Sequence, residues 1–137
     1  MEYSIFQEME HLPVISVAPV RGPRLKGGGT IYSFFEEQEH MKRKMRTVLR
    51  IAAYYNHKSL VIGAFGLGHN FRNPAREVAI MWRGLLYQEE EFRGVFQDVV
   101  FCIDSDPAGP PANAKDSDFA IFKDELSASK IFPTQYS

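Results

Sequence analysis

An α/β fold on a mostly parallel sheet is the class this sequence predicts, and three observations predict it. Short β-branched or uniformly apolar runs alternate with longer stretches whose apolar residues recur at helical spacing. The central apolar run breaks into a glycine-rich loop that ends on Asn73-Pro74, a pair suited to opening a helix. Hydrophobic residues make up 45% of the 137 positions, enough for one domain with a packed core.

The elements follow in chain order. Val14, Ile15, Ser16, Val17 and Ala18, bounded by Pro13 and Pro19, are expected to form a buried strand. Residues 19–33, with Gly22-Pro23 and Gly27-Gly28-Gly29, have no periodicity and are expected to be an irregular loop. A helix is predicted from about residue 34 to residue 56, because Met41, Met45, Val48, Leu49, Ala52 and Tyr55 make one apolar stripe. Its acidic residues Glu36, Glu37 and Glu39 come first and its basic residues later, the order the helix dipole favours on a solvated face.

Residues 59–65 read as a second strand, apolar throughout as a strand covered on both faces should be. Asn73 suits the N-cap of a second helix and Pro74 its first position, with Val78, Met81, Trp82, Leu85 and Leu86 facing the core up to about residue 91. A third strand is expected over 95–104 and a loop over 106–115. A last short helix over 116–126 carries Phe119, Phe122 and Leu126, and residues 127–137 are expected to be a flexible tail. The order is βαβαβα. Three strands leave a narrow sheet, so either the first dozen residues add a strand or the unit is completed by something else.

Composition removes several function classes. A net charge of −1 provides no overall field for nucleic acid or an anionic membrane. The single cysteine, Cys102, excludes an internal disulfide and a cysteine-built metal site, and is expected to pack as an inert core thiol in a reducing compartment, cytoplasmic or nuclear. No apolar run reaches the roughly 18 residues that span a bilayer. His11, His40, His57 and His69 are scattered without a ligand spacing, so no metal and no cofactor is expected.

The loop at 63–73 carries the functional signal. Gly63, Gly66 and Gly68 permit positive φ and close backbone approach to an anion, and the helix that follows directs the positive end of its dipole at the same place. In a parallel sheet this loop lies beyond the carboxyl end of a strand, where ligands bind. The alternative, a tight turn without a ligand, stays open on spacing alone.

Taken together, several segments resemble one family. These are Val14-Ile15-Ser16-Val17-Ala18-Pro19, Met45-Arg46-Thr47-Val48-Leu49-Arg50-Ile51-Ala52-Ala53, Leu60-Val61-Ile62-Gly63-Ala64-Phe65-Gly66-Leu67-Gly68, Asn73-Pro74, Glu77-Val78-Ala79 and Phe92-Arg93-Gly94-Val95-Phe96-Gln97-Asp98-Val99-Val100-Phe101. In order and spacing they resemble the carboxy-terminal half of the microbial-type poly(ADP-ribose) glycohydrolase domain, a branch of the macrodomain fold. The resemblance implies a three-layer macrodomain-like domain over 1–137, incomplete on its amino-terminal side. It implies that Gly63, Ala64, Phe65, Gly66, Leu67, Gly68, His69 and Asn70 wrap the diphosphate of ADP-ribose, that Asn73 closes the loop, and that Phe119 is placed to stack on adenine.

The sequence departs from the family where Leu67 replaces a small cysteine and where His69-Asn70-Phe71-Arg72 lengthens the loop. It also carries no candidate upstream of Val14 for the family's catalytic loop, a strand running into three glycines and a pair of glutamates. Gly27-Gly28-Gly29 with Glu36 and Glu37 copies that composition but follows the first strand instead of preceding it, so Glu36 and Glu37 are weak candidates for a catalytic acid. The expected function is therefore an ADP-ribose binding module whose partner is ADP-ribose or an ADP-ribosylated protein. The alternatives are an active ADP-ribosyl glycohydrolase and a structural protein that forms a homo-oligomer through its exposed sheet edge.

Overall fold

The computed structural model describes residues 12–104 and 117–133. The loop expected at 106–115, any strand in the first eleven residues and the last four tail residues lie outside the described residues. Eight elements follow one another: β1 (Leu25–Lys26), β2 (Ile31–Tyr32), α1 (Phe35–Tyr54), β3 (Ser59–Ile62), α2 (Ala75–Tyr87), β4 (Asp98–Phe101), α3 (Asp118–Glu125) and α4 (Ala128–Ile131). β1 and β2 form an antiparallel hairpin, while β3 and β4 pair in parallel with Ser59 opposite Asp98 and Ile62 opposite Phe101. The fold is mixed α/β with two small sheets.

Helical periodicity predicts most of the core, but of the expected α1 stripe Val48 is only half-buried and Tyr55, at the helix C-cap where the chain turns away, is 65% exposed. Met41, Met45, Leu49 and Ala52 on α1 and Val78, Ala79, Met81, Trp82, Leu85 and Leu86 on α2 are all buried against one another and against Ile62. Trp82 packs its ring between Phe65 and Phe101, at 6.2 and 6.0 Å. α1 ends in a Schellman motif: the His57 N–H donates to the Ala52 carbonyl and the Asn56 N–H to that of Ala53, with Asn56 in the left-handed region at φ 60°.

The cations of α1 are not merely solvated, because Arg46 pairs with Glu89 at 2.9 Å and Arg50 with Glu91 at 2.7 Å, tying α1 to the loop after α2. α2 is shorter than its periodicity suggested: it ends at Tyr87, where Gln88 and Glu89 both donate to the Gly84 carbonyl.

Four expectations are corrected. The segment from Val14 to Ala18 is not a strand: Ile15 and Val17 turn inward and Ser16 and Ala18 outward, but a cavity separates the segment from β3, so it has no ladder partner among the described residues. The stretch 19–33 is not wholly irregular. Gly27, Gly28 and Gly29, all at positive φ, turn the chain between β1 and β2, with the Thr30 hydroxyl donating to the Gly27 carbonyl at 2.6 Å.

The β3–β4 sheet is covered on one face only, which leaves Val61 73% and Val100 54% exposed, and Cys102 just beyond β4 is exposed too, not a core thiol. Finally, the tail is not free from residue 127 onward, because α4 forms there and Lys130 bonds Asp124 and Glu125.

That last contact belongs to a buried carboxylate. Glu125, 3% exposed, accepts hydrogen bonds from Arg76 at 2.8 Å, Arg83 at 3.1 Å and Lys130 at 3.1 Å, fastening α3 and α4 to α2. Burial pushes its carboxyl up, but bonds from Lys130, Arg76 and Arg83 outweigh burial and hold it below the usual glutamate range. Its stabilising contribution is thus complete above the ordinary glutamate pKa of about 4.3 and is lost as pH falls through the depressed value. Glu125→Gln is expected to lower stability by about 2 kcal/mol at neutral pH. In urea titrations the difference from the parent should shrink as the pH is brought below that of the depressed carboxyl.

Candidate functional site

The loop at 63–73 leaves β3 at its carboxyl end, as expected, and its conformation is fixed by the glycines. Leu67 N–H donates to the Ala64 carbonyl at 3.1 Å, closing a turn that needs positive φ at its third position, and Gly66 is there at φ 77°. Gly68 at φ 87° starts a second turn closed by the Arg72 N–H on the Gly68 carbonyl at 2.8 Å.

Gly66 also allows close packing: a Cβ there would lie 2.5 Å from the Met41 methyl and 3.0 Å from Asn73 Nδ2. Among the described residues no acceptor takes the N–H of Ala64, Gly66, Gly68 or His69. The same is true of the N–H groups of Gly63, Asn70 and Phe71, so the loop carries a run of unbonded backbone donors among the described residues, and α2 begins just beyond it.

Asn73 holds this loop instead of capping the helix. Its Nδ2 donates to the Gly66 carbonyl at 2.9 Å and to the Val20 carbonyl at 2.7 Å, and its Oδ1 accepts from the Tyr32 hydroxyl at 2.7 Å. The helix N-cap is Pro74, one residue later than expected, because the Asn73 side chain is already engaged by these three partners. Burial, and then the charges of Glu77 and Glu37, hold the Tyr32 phenol above its usual range, so it stays a neutral donor to Asn73.

The other predicted residues divide. Gly63, Ala64, Gly68, His69 and Asn70 are exposed along the loop, Phe65 is half-buried and Leu67 is buried in the core at 7%, so Leu67 offers only its backbone. Beside Gly63 and Phe65 lies a cavity of about 500 Å³, within the range that holds small ligands and walled by Ile15, Val17, Leu60, Val61 and Trp82. Phe119, on α3, is 43% exposed and does not line this cavity. Glu36 is exposed on the first turn of α1, and the Glu37 carboxylate accepts the Arg24 N–H at 3.2 Å. The triple glycine is a hairpin tip, and the Glu37 carboxylate lies near enough to Tyr32, the partner of Asn73, for its charge to raise the phenol.

Two residues that spacing did not single out border the loop. The Gly22 N–H donates to the Phe71 carbonyl at 2.7 Å, Arg21 lies over the Phe71 ring at 6.0 Å, and the Arg72 guanidinium lies 3.9 Å from the Cβ position of Gly22. Contacts across fifty residues leave no local pattern to read. Among the described residues no group of histidine, cysteine and carboxylate side chains is arranged to hold a metal ion, and no helix is long and apolar enough to cross a membrane.

No family model and no curated protein matches the chain. A solved structure does: the crystal structure of poly(ADP-ribose) glycohydrolase (PARG) from Deinococcus radiodurans in complex with ADP-ribose, at 32% identity over 68% of this chain with a TM-score of 0.56. The fold is PARG-like. The chain spans about a third of the length of that PARG chain, 34% of it.

Proposed function

We propose that this chain binds ADP-ribose through the loop at 63–73 and corresponds to the carboxy-terminal part of a macrodomain-like PARG domain, with the parallel β3–β4 pair belonging to its three-layer sheet. The observation that carries the reading is the row of N–H groups on Ala64, Gly66, Gly68 and His69 that no acceptor takes among the described residues. Backbone donors in a loop at positive φ fit a diphosphate, whose oxygens accept several short bonds at once. The cavity beside Gly63 suits the less polar nucleoside part. The bacterial PARG of similar fold was crystallised with ADP-ribose, which supports the choice of ligand.

The reading is of a binding module. An acid for glycosidic cleavage has to reach the anomeric oxygen of the bound ribose, and Glu37 is engaged with Arg24 while Glu36 faces solvent. Titration calorimetry of the full chain with ADP-ribose is expected to give saturable heat, with no release of ADP-ribose from ADP-ribosylated protein. Absence of heat at millimolar ligand overturns the binding reading, whereas hydrolysis abolished by Glu36→Gln with Glu37→Gln establishes the enzyme instead.

A second reading is favoured by one observation, the exposure of Val61 and Val100 on a two-stranded parallel sheet, a type normally covered on both faces. It holds that another polypeptide, a second copy included, completes the sheet. A dimer on sizing that ignores ADP-ribose supports it, and a monomer removes the homo-oligomer.

A further inference from the structure

β3 has one edge in the sheet and one edge open. The Lys58 and Ile62 carbonyls turn to β4, accepting from Asp98 at 3.3 Å and from Cys102 at 2.8 Å. A parallel strand bonds each neighbour through alternate residues, so Ser59 and Val61 turn their backbone N–H and C=O groups to the opposite edge. Nothing among the described residues takes them there.

Across that edge lies the cavity of about 500 Å³, and its far wall is the segment from Leu12 to Val17, which also lacks a ladder partner among the described residues. Ile15 and Val17 turn inward from one wall, and Leu60 and Ile62 from the other. Val48 and Trp82 line the cavity from α1 and α2. Trp82 is wholly buried, yet its Nε1–H has no acceptor. The core is unfinished at this gap.

What fits between two unpaired backbones is a third. An inserted strand meets the free groups of both walls at once and turns alternate side chains onto the apolar lining. The nucleoside proposed beside Gly63 reaches one end of the gap and leaves the Ser59 and Val61 groups unbonded. A second copy has no suitable strand to lend among the described residues: β1 and β2 have two residues each and pair with one another, while β3 and β4 are paired and held in the core by Ile62 and Phe101.

We propose that the gap between residues 14–18 and β3 is a docking slot for a β-strand of a different polypeptide, apolar at alternate positions and spanning the four residues of β3. This rests on the reading that another polypeptide completes the sheet and names the place and the partner. Its inward side chains pack on Val48, Leu60 and Trp82, and its outward ones continue the exposed face of Val61 and Val100.

The probe is a capped peptide of about seven residues, alternating valine and threonine between terminal lysines. Hydrogen exchange by NMR on the full chain reads the β3 amides one by one. With the peptide at about ten times its Kd, exchange at Ser59 and Val61 is expected to slow about tenfold, while Leu60 and Ile62, which face β4, stay unchanged. The same peptide N-methylated on either its valine or its threonine nitrogens cannot bond one wall, and is expected to bind at least about tenfold more weakly.

No binding at millimolar peptide, binding that leaves Ser59 and Val61 in fast exchange, or equal affinity for the methylated peptides overturns the slot. A dimer in which those two amides are slow without peptide places a second copy there and overturns the different partner. A dimer in which they stay fast overturns the slot and leaves the reading that another polypeptide completes the sheet standing. Slow exchange of both in a free monomer shows the chain filling its own gap, and overturns both.

Discussion

Asn73→Ala is expected to destabilise the chain by about 3 kcal/mol or more, and to abolish ligand binding even where the protein still folds. One side chain there joins three separate segments. It bonds the Val20 carbonyl, the Gly66 carbonyl and the Tyr32 hydroxyl, and Asn73 itself is only 5% exposed. Removing it leaves the Val20 carbonyl and the buried Tyr32 phenol without partners, each costing about 1–3 kcal/mol, while the Gly66 carbonyl keeps the backbone N–H of residue 73. Tyr32→Phe removes a single bond and should cost about 1 kcal/mol. Denaturant unfolding of the two variants checks the order, and a smaller loss for Asn73→Ala than for Tyr32→Phe contradicts the clamp.

Gly68→Glu should have the opposite profile, a large loss of binding with little loss of fold. No atom lies within 4 Å of a Cβ placed at Gly68, so its cost to stability is confined to the strain of φ 87°, about 1–2 kcal/mol. The carboxylate it introduces faces an anion held by the same loop, and repulsion with a misplaced N–H should weaken ADP-ribose at least about a hundredfold, near 2.7 kcal/mol. Gly66→Glu is a poor substitute, because its Cβ would overlap Met41 and Asn73 and the protein would lose its fold first. Calorimetry and thermal unfolding of the Gly68 variant together separate the two effects. Unchanged affinity in a folded Gly68→Glu removes the loop from the binding site.

How much of this was legible follows from the range of each interaction. α1 and α2 could be read because Met41, Met45, Leu49 and Ala52, and Val78, Met81, Trp82 and Leu85, repeat at the helix period and bury one face. β3 and the glycine loop could be read because an apolar run stops at Gly63. The hairpin could not, since strands of two residues, Leu25–Lys26 and Ile31–Tyr32, are too short to alternate.

Val14 to Ala18 has strand chemistry but no ladder partner among the described residues, so composition alone misled. Asn73 was assigned to the helix start because the pattern Asn-Pro is local, whereas its partners Tyr32 and Val20 are 41 and 53 residues away. The same distance hid Arg21 and Arg72, and Cys102 looked buried because the strand it follows was expected to be covered on both faces.

The central claim, that a diphosphate is held by backbone N–H groups of the loop at 63–73, is tested most directly by amide NMR during titration with ADP-ribose. The amide signals of Ala64, Gly66, Gly68 and His69 should move together and saturate at one dissociation constant, while those of α1 and α3 stay in place. Saturable binding with these four amides unmoved, or an unaltered spectrum at millimolar ligand, contradicts it.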